Sequence, residues 1–143
     1  MPAALVEQTV QADLILSTRR CALLRVSLRY RAADPFAVRM GFPAEYSLDA
    51  ETAAGPGAEV EWVFARQLLA TGLDLPSGLG DVHVRPAHGR HTMVELRAAD
   101  GVALLRFDER ELRRFLRHSY LAVPEGDELL HVDADRALAQ LLG

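Results

Sequence analysis

Alternation with period two dominates the first third of the chain. In VQADLIL, Val10, Ala12, Leu14 and Leu16 share one face, and Gln11, Asp13 and Ile15 the other. In CALLRVSLRY, Ala22, Leu24, Val26, Leu28 and Tyr30 line one face opposite Arg25, Ser27 and Arg29. Successive strand side chains point to opposite faces, so these runs predict two strands with one buried face each. The STRR between them suits a hairpin. Pro35 keeps Asp34 out of helical geometry, which makes RAADP a turn. FAVRMGF resumes the alternation with Phe36, Val38, Met40 and Phe42.

Beyond Tyr46 the periodicity lapses, and Gly55, Pro56 and Gly57 predict an exposed loop. Val60, Trp62 and Phe64 then share a strand face, and ARQLLATG continues as two helical turns with Gly72 as the predicted C-terminal cap. Leu68 and Leu69 would hold that helix to the sheet. DVHVRP, HTMVELRA and VALLRF read as three further strands, with tight connections at AHGR and ADG. At Asp108 the period changes to that of a helix: Asp108 is a candidate N-cap, and Leu112, Phe115 and Leu116 form an apolar stripe. Pro124, Glu125 and Gly126 break the chain, and a last helix is expected from about Asp133 with Leu138, Leu141 and Leu142 on its apolar side. The expected class is α+β: about seven mostly antiparallel strands in two sheets, a short helix between the strand groups and two C-terminal helices.

Composition narrows the classes. One hundred and forty-three residues suit a single domain spanning 1–143. The lone Cys21 excludes an internal disulfide, and MPAALVEQTV lacks the features of a signal peptide. No apolar run approaches the ~20 residues that span a bilayer, so the expectation is a cytoplasmic protein with no direct membrane insertion. A net charge of −4 argues against sequence-independent nucleic-acid binding, which relies on neutralised phosphates. All sixteen basic residues are Arg, with neither Lys nor Asn anywhere, which points to GC-rich coding and carries no chemistry.

Candidate chemistry is sparse. Gly78 and Gly80 in SGLGD invite a phosphate-loop reading, but phosphate loops run from strand into helix, and here a helix precedes the glycines and a strand follows. A turn with positive φ fits better. His88 and His91 have H-x-x-H spacing, yet fall at a hairpin tip with no third ligand close in sequence. Arg19 and Arg20 precede Cys21 and would favour its thiolate, but no partner base or G-x-S-x-G element accompanies it. No catalytic residue, cofactor site or metal site is assigned. The sharpest charge feature is DERELRRFLRHSY, where Arg110, Arg113, Arg114 and Arg117 recur at spacings of three and four. That stripe is either a solvated helix face or a docking surface for an acidic protein segment or a nucleic-acid backbone. Leu104 beside Leu105, Met93 beside Val94 and Leu23 beside Leu24 leave strands apolar on both faces, which predicts a second surface buried between subunits.

LRYRAADPFAVRMGF, followed by VEWVFARQLLATGL and PSGLGDVHVRP, resembles the SsgA-like proteins of sporulating actinomycetes. The family carries, in this order, an Arg-Tyr pair, an Asp-Pro-aromatic-Ala-Val segment, W-x-F-x-R-x-L-L, and G-x-G-D-V-x-V-x-P. The match runs from about Val10 to Leu142, and the stretch at about 47–58 reads as an exposed insertion relative to the family. The resemblance implies a whirly-type fold and a homotrimer. It also implies a non-enzymatic role in sporulation-specific septation, through FtsZ, the tubulin-like division GTPase, or through other SsgA-like proteins, with recruitment to the septum. The whirly relationship supplies the alternative, a single-stranded nucleic-acid binder. Within this frame Trp62, Phe64, Leu68 and Leu69 are expected to join sheet to helix, with Gly78 and Gly80 as the turn into the next strand. Burying a large aromatic there contributes about 2–3 kcal/mol, so the segment needs no ligand to justify it.

Overall fold

The computed structural model describes residues 5–43, 59–99 and 101–132. Seven strands form the sheet: β1 (Leu5–Ser17), β2 (Arg20–Arg31), β3 (Ala37–Pro43), β4 (Glu59–Ala65), β5 (Val82–Ala87), β6 (His91–Ala98) and β7 (Gly101–Asp108). Helix α1 (Arg66–Gly72) lies between β4 and β5, and α2 (Glu109–Ala122) follows β7. A further helical turn occupies 128–132. The insertion expected at 47–58 and the last helix expected from Asp133 lie outside the described residues.

The strand order is β4-β3-β2-β1-β7-β6-β5, and every pairing is antiparallel. This corrects the expectation of two sheets. The two strand groups are real, but β1 belongs to both: it pairs with β2 along its length and meets β7 at Ala12–Phe107, Asp13–Arg106 and Leu14–Leu105. Asp13 and Arg106 reinforce this short ladder with an ion pair of 2.8 Å on the outward face. The sequence alternates in the same way whether two strand groups face one another or share a strand, so only the pairing separates the cases.

A flat sheet of seven strands would hold its edges about 29 Å apart at ~4.8 Å per gap. Helix α1 has seven residues and is about 10 Å long at ~1.5 Å per residue, yet it continues from edge strand β4 and packs on the other edge strand, β5. The sheet therefore curls until one short helix fills the gap between its edges. Its inner face carries Val26, Leu28, Tyr30, Val38, Met40, Val84, Val94 and Leu105, all buried, and α2 covers it with Leu112, Phe115 and Leu116.

Three local expectations are revised. Gly72 is not a positive-φ cap; it is the last residue of α1, and a β-carbon there would collide with the Val84 side chain. Gly78 does take positive φ, at 129°, whereas Gly80 does not and has open space around it. Leu16 and Phe36, in phase with buried neighbours, are 57% and 49% exposed because the first ends its strand at the hairpin and the second precedes β3 in a turn.

Candidate interaction surface

Helix α2 begins where the sequence places it. The Asp108 carboxylate accepts from the Arg110 backbone N–H at 2.9 Å, and that bond, with the Arg110 side chain, holds the acid below its ordinary range against a smaller opposing effect of desolvation. Leu112, Phe115, Leu116 and Ser119 turn inward, so the helical period carries Arg110, Arg114, Arg117 and His118 outward. Arg113 differs from its neighbours. Its guanidinium donates to Glu109 at 2.6 Å and to Asp74 at 2.8 Å, tying α2 to the segment after α1. Arg110 is 74% exposed with only a 3.6 Å contact to Asp108, and Arg114 and Arg117 meet no carboxylate among the described residues. The four-arginine stripe is thus three exposed cations and one held in two ion pairs.

The segment between β4 and β5 has a different organisation. Phe64 and Leu69 are buried, while Trp62 and Leu68 are half-buried beside a groove of about 570 Å³. Gly78 and Gly80 lie in the opposite wall of that groove, in a loop whose Leu79 is fully exposed. The loop is tied down by Ser77, which exchanges both backbone hydrogen bonds with Val84 at 2.8 and 2.9 Å.

The residue that organises this joint is Arg66, to which the sequence reading gives no role. It is 3% exposed, and its guanidinium lies between the rings of Tyr30 and Tyr120, 4.7 and 4.5 Å from their centroids. Nη1 donates to the carbonyls of Ser119 (3.2 Å) and Val123 (2.8 Å), and Nη2 donates to the Glu128 carboxylate at 2.8 Å. The last turn of α2 contains no basic residue, so Arg66 supplies from α1 the cation that the helix C-terminus favours. Desolvation pushes the Glu128 carboxyl up, but backbone N–H groups of Glu128 and Gly126 together with Arg66 outweigh it and leave it below the usual carboxylate value. Burial pushes the Tyr30 phenol up to about 12 against the opposing pull of Arg66, and its hydroxyl donates to the Pro35 carbonyl at 2.9 Å. A signal for Arg66 existed: the period-two phase of Val60, Trp62 and Phe64, carried one step further, points position 66 inward.

The remaining candidates are dispersed. His88 and His91 flank a hairpin turn in which Gly89 and Arg90 both take positive φ, and the His91 ring is bonded to the His88 carbonyl at 2.9 Å. Cys21 is exposed at the start of β2. Among the described residues no group of three or more His, Cys, Asp or Glu side chains converges on a common point. No helix among them is long and apolar enough to cross a membrane.

The profile of the family described as the Streptomyces sporulation and cell division protein, SsgA, matches residues 24–128. The chain belongs to the SsgA family. Relatives carry the more specific name SsgB, sporulation-specific cell division protein. The Salinispora tropica protein is 45% identical over 122 residues, covering 83% of this chain and 80% of its own. The Streptomyces coelicolor protein is 39% identical over 132 residues, covering 90% and 89%. Among solved structures, one from work on SsgB mutations and longitudinal cell division during sporulation of S. coelicolor superposes with a TM-score of 0.79 at 36% identity, covering 92% of this chain and 98% of that one. The SsgA-like sporulation-specific cell division protein of Thermobifida fusca gives 0.81 at 31% identity, covering 98% and 97%. This SsgA-family chain therefore has its role in sporulation-specific cell division.

Proposed function

We propose that this SsgA-family chain is a non-enzymatic regulator of septum-site placement that acts by binding proteins of the division machinery, FtsZ or other SsgA-like proteins. In this reading it works in the cytoplasm and is recruited to the septum. The observation that carries it is the outward face of α2, where Arg110, Arg114 and Arg117 project from a helix anchored by its N-cap and its core stripe. A rigid row of exposed cations suits an acidic protein segment. Single-strand binders instead offer aromatic platforms amid basic residues. Here the outward sheet face carries Glu7, Asp13, Ser27, Glu61 and Glu95 with a few arginines, and Trp62, Phe64 and Tyr30 turn the other way.

The same outward face supports self-association. Leu23 is 63% exposed with Ile15 diagonal to it on β1, and Leu104 and Met93 lie farther along the same face, on β7 and β6. The resemblance to the family gives three as the copy number, and light scattering that finds only monomer at micromolar concentration refutes it. The partner reading is tested by pulldown against the purified division GTPase and gel shift against single-stranded DNA, with Arg114→Glu and Arg117→Glu combined. Arg113 is left intact because reversing it would break the Asp74 pair and confuse docking with folding. The double reversal should abolish capture of the division protein. A tight, salt-sensitive DNA shift without such capture would transfer the function to nucleic-acid binding.

A further inference from the structure

We propose that the edge of β4 left unpaired among the described residues, with the groove beside it, binds an extended basic segment of a partner protein as an added strand. The site lies apart from the arginine face of α2 and does not depend on it.

The sheet has two outer edges and treats them differently. That of β5 is capped in part by Ser77, bonded in both directions to Val84. For β4 the bond from Arg66 N–H to the Phe36 carbonyl, 2.8 Å, sets the phase of the ladder with β3. Hydrogen-bonding direction alternates along an antiparallel strand, so Val60, Trp62 and Phe64 turn their amides to β3. Glu59, Glu61, Val63 and Ala65 present theirs to the other side, and among the described residues no backbone group meets them there. An unpaired edge of this length is a template for a further strand.

The groove gives that strand a place to lie. Its volume of about 570 Å³ is bounded by β4, by Leu68 and Thr71 of α1, and by the loop around Leu79. Trp62 and Leu68, both half-buried, supply apolar contact for alternate side chains of an incoming segment.

Charge selects the occupant. On the outward side of this edge Arg29 meets Glu7 at 3.0 Å and Glu59 at 3.1 Å, and Arg39 meets Glu61 at 3.1 Å and Asp34 at 3.0 Å. Arg25 and Arg31 lie on the same face of β2 and balance the wider patch, but β4 itself presents Glu59 and Glu61 there and no cation, so the rim of the edge strand is negative. Gly41 makes the arrangement possible, since any β-carbon there would strike the Glu59 carboxylate. A second copy of β4 would bring like charges together, which disfavours edge-to-edge self-pairing. An added strand places its outward residues beside Glu59, Glu61 and Val63, so the complementary segment carries two basic residues and then an apolar one at alternate positions, with apolar residues toward the groove.

Trp62 is the only tryptophan and lines the groove, so its emission reports occupancy. The probe is a synthetic peptide that alternates valine with arginine, titrated into the full-length chain at low and at physiological salt. The expected result is a saturable change in emission that weakens with salt. Affinity should fall at least about tenfold when glutamate replaces arginine, and likewise when alternate peptide amides are N-methylated, which removes strand hydrogen bonds without touching the protein. Val63→Pro, which deletes an outward N–H and leaves the β3 ladder intact, should cause a similar loss, whereas Arg114→Glu with Arg117→Glu should cause none. The proposal is overturned if the arginine peptide gives no saturable change, as when the chain's own segments close the edge. It is equally overturned if the glutamate or N-methylated peptide binds as well, if Val63→Pro folds and binds unchanged, or if emission shifts with protein concentration alone, which would make a second copy the occupant.

Discussion

Replacing Arg66 by Met isolates the contribution of one guanidinium, because the substitution keeps an apolar stem of similar reach. The native group is 3% exposed and serves two carbonyls, a carboxylate and two aromatic faces at once. Removing one partner of a buried pair costs about 3–5 kcal/mol, and Glu128, at 16% exposure, retains enough water contact to favour the lower end. Losing the ring contacts adds about 1 kcal/mol, since the tyrosines keep their packing against an apolar side chain. The expected loss is about 4 kcal/mol, a large share of the ~5–15 kcal/mol that a domain has in total. At a urea dependence of about 2 kcal/mol per molar, the midpoint should fall by about 2 M in equilibrium unfolding followed by tryptophan emission and far-ultraviolet circular dichroism. Pairing the change with Glu128→Gln removes the stranded carboxylate and should restore part of the loss, giving a favourable coupling above about 1 kcal/mol in the double-mutant cycle. Arg66→Lys should remain clearly destabilised, because a point charge cannot match the planar fork between two rings. A loss below about 1 kcal/mol for Arg66→Met would refute the claim that this side chain holds α1, α2 and the segment at Glu128 together.

Three further outcomes follow from single contacts. Gly72→Ala should destabilise by about 1–3 kcal/mol in thermal unfolding, because its β-carbon meets Val84 on a strand that cannot retreat, whereas Gly80→Ala should be close to neutral. Thr92 is buried and its hydroxyl has no partner among the described residues, so Thr92→Val should raise the melting temperature, by up to about 1 kcal/mol in stability terms. The Glu128 carboxyl is held below its ordinary value in the folded state, so its contribution is complete above about pH 4.5 and is lost as pH falls through the lower folded value; Glu128→Gln should flatten the acid limb of the stability profile in that window, as read by urea midpoints between pH 6 and 3.

Strands were legible because burial of one face forces alternation, and Leu24, Val26, Leu28 and Tyr30 state that face without ambiguity. Helix α2 was legible for the complementary reason: a capping acid at Asp108 precedes a stripe at helical spacing. What escaped was long-range. Whether β1 ends a sheet or joins two strand groups depends on three residue pairs with β7, and nothing local to Ala12–Leu14 encodes it. Gly72 looked like a cap because glycine at a helix end usually is one; its close approach to Val84 depends on where β5 lies. Arg113 and Arg114 look alike in sequence, and only the position of Asp74 separates a structural ion pair from an exposed cation. Arg66 was hidden by its chemistry, because a charged residue is assigned to the surface unless its strand phase is followed into the helix.

The uneven closure of the sheet links these residues. A barrel would have removed both edges, whereas here α1 and the Ser77 loop cap β5 in part, and among the described residues β4 stays open beside a groove. Holding a curled sheet in that incomplete state requires something to fix the helix in the gap. Gly72 lets α1 sit flush on β5, and Arg66 anchors its other end to the C-terminus of α2. Residues at the two ends of a seven-residue helix therefore determine the width of the groove between them. The stretch from Val60 to Val82 is architecture in its buried half, with Phe64, Arg66 and Leu69, and available surface in its half-buried half, with Trp62 and Leu68. Substitutions in the first set should lower stability and widen or collapse the groove, and those in the second should alter binding at nearly constant stability.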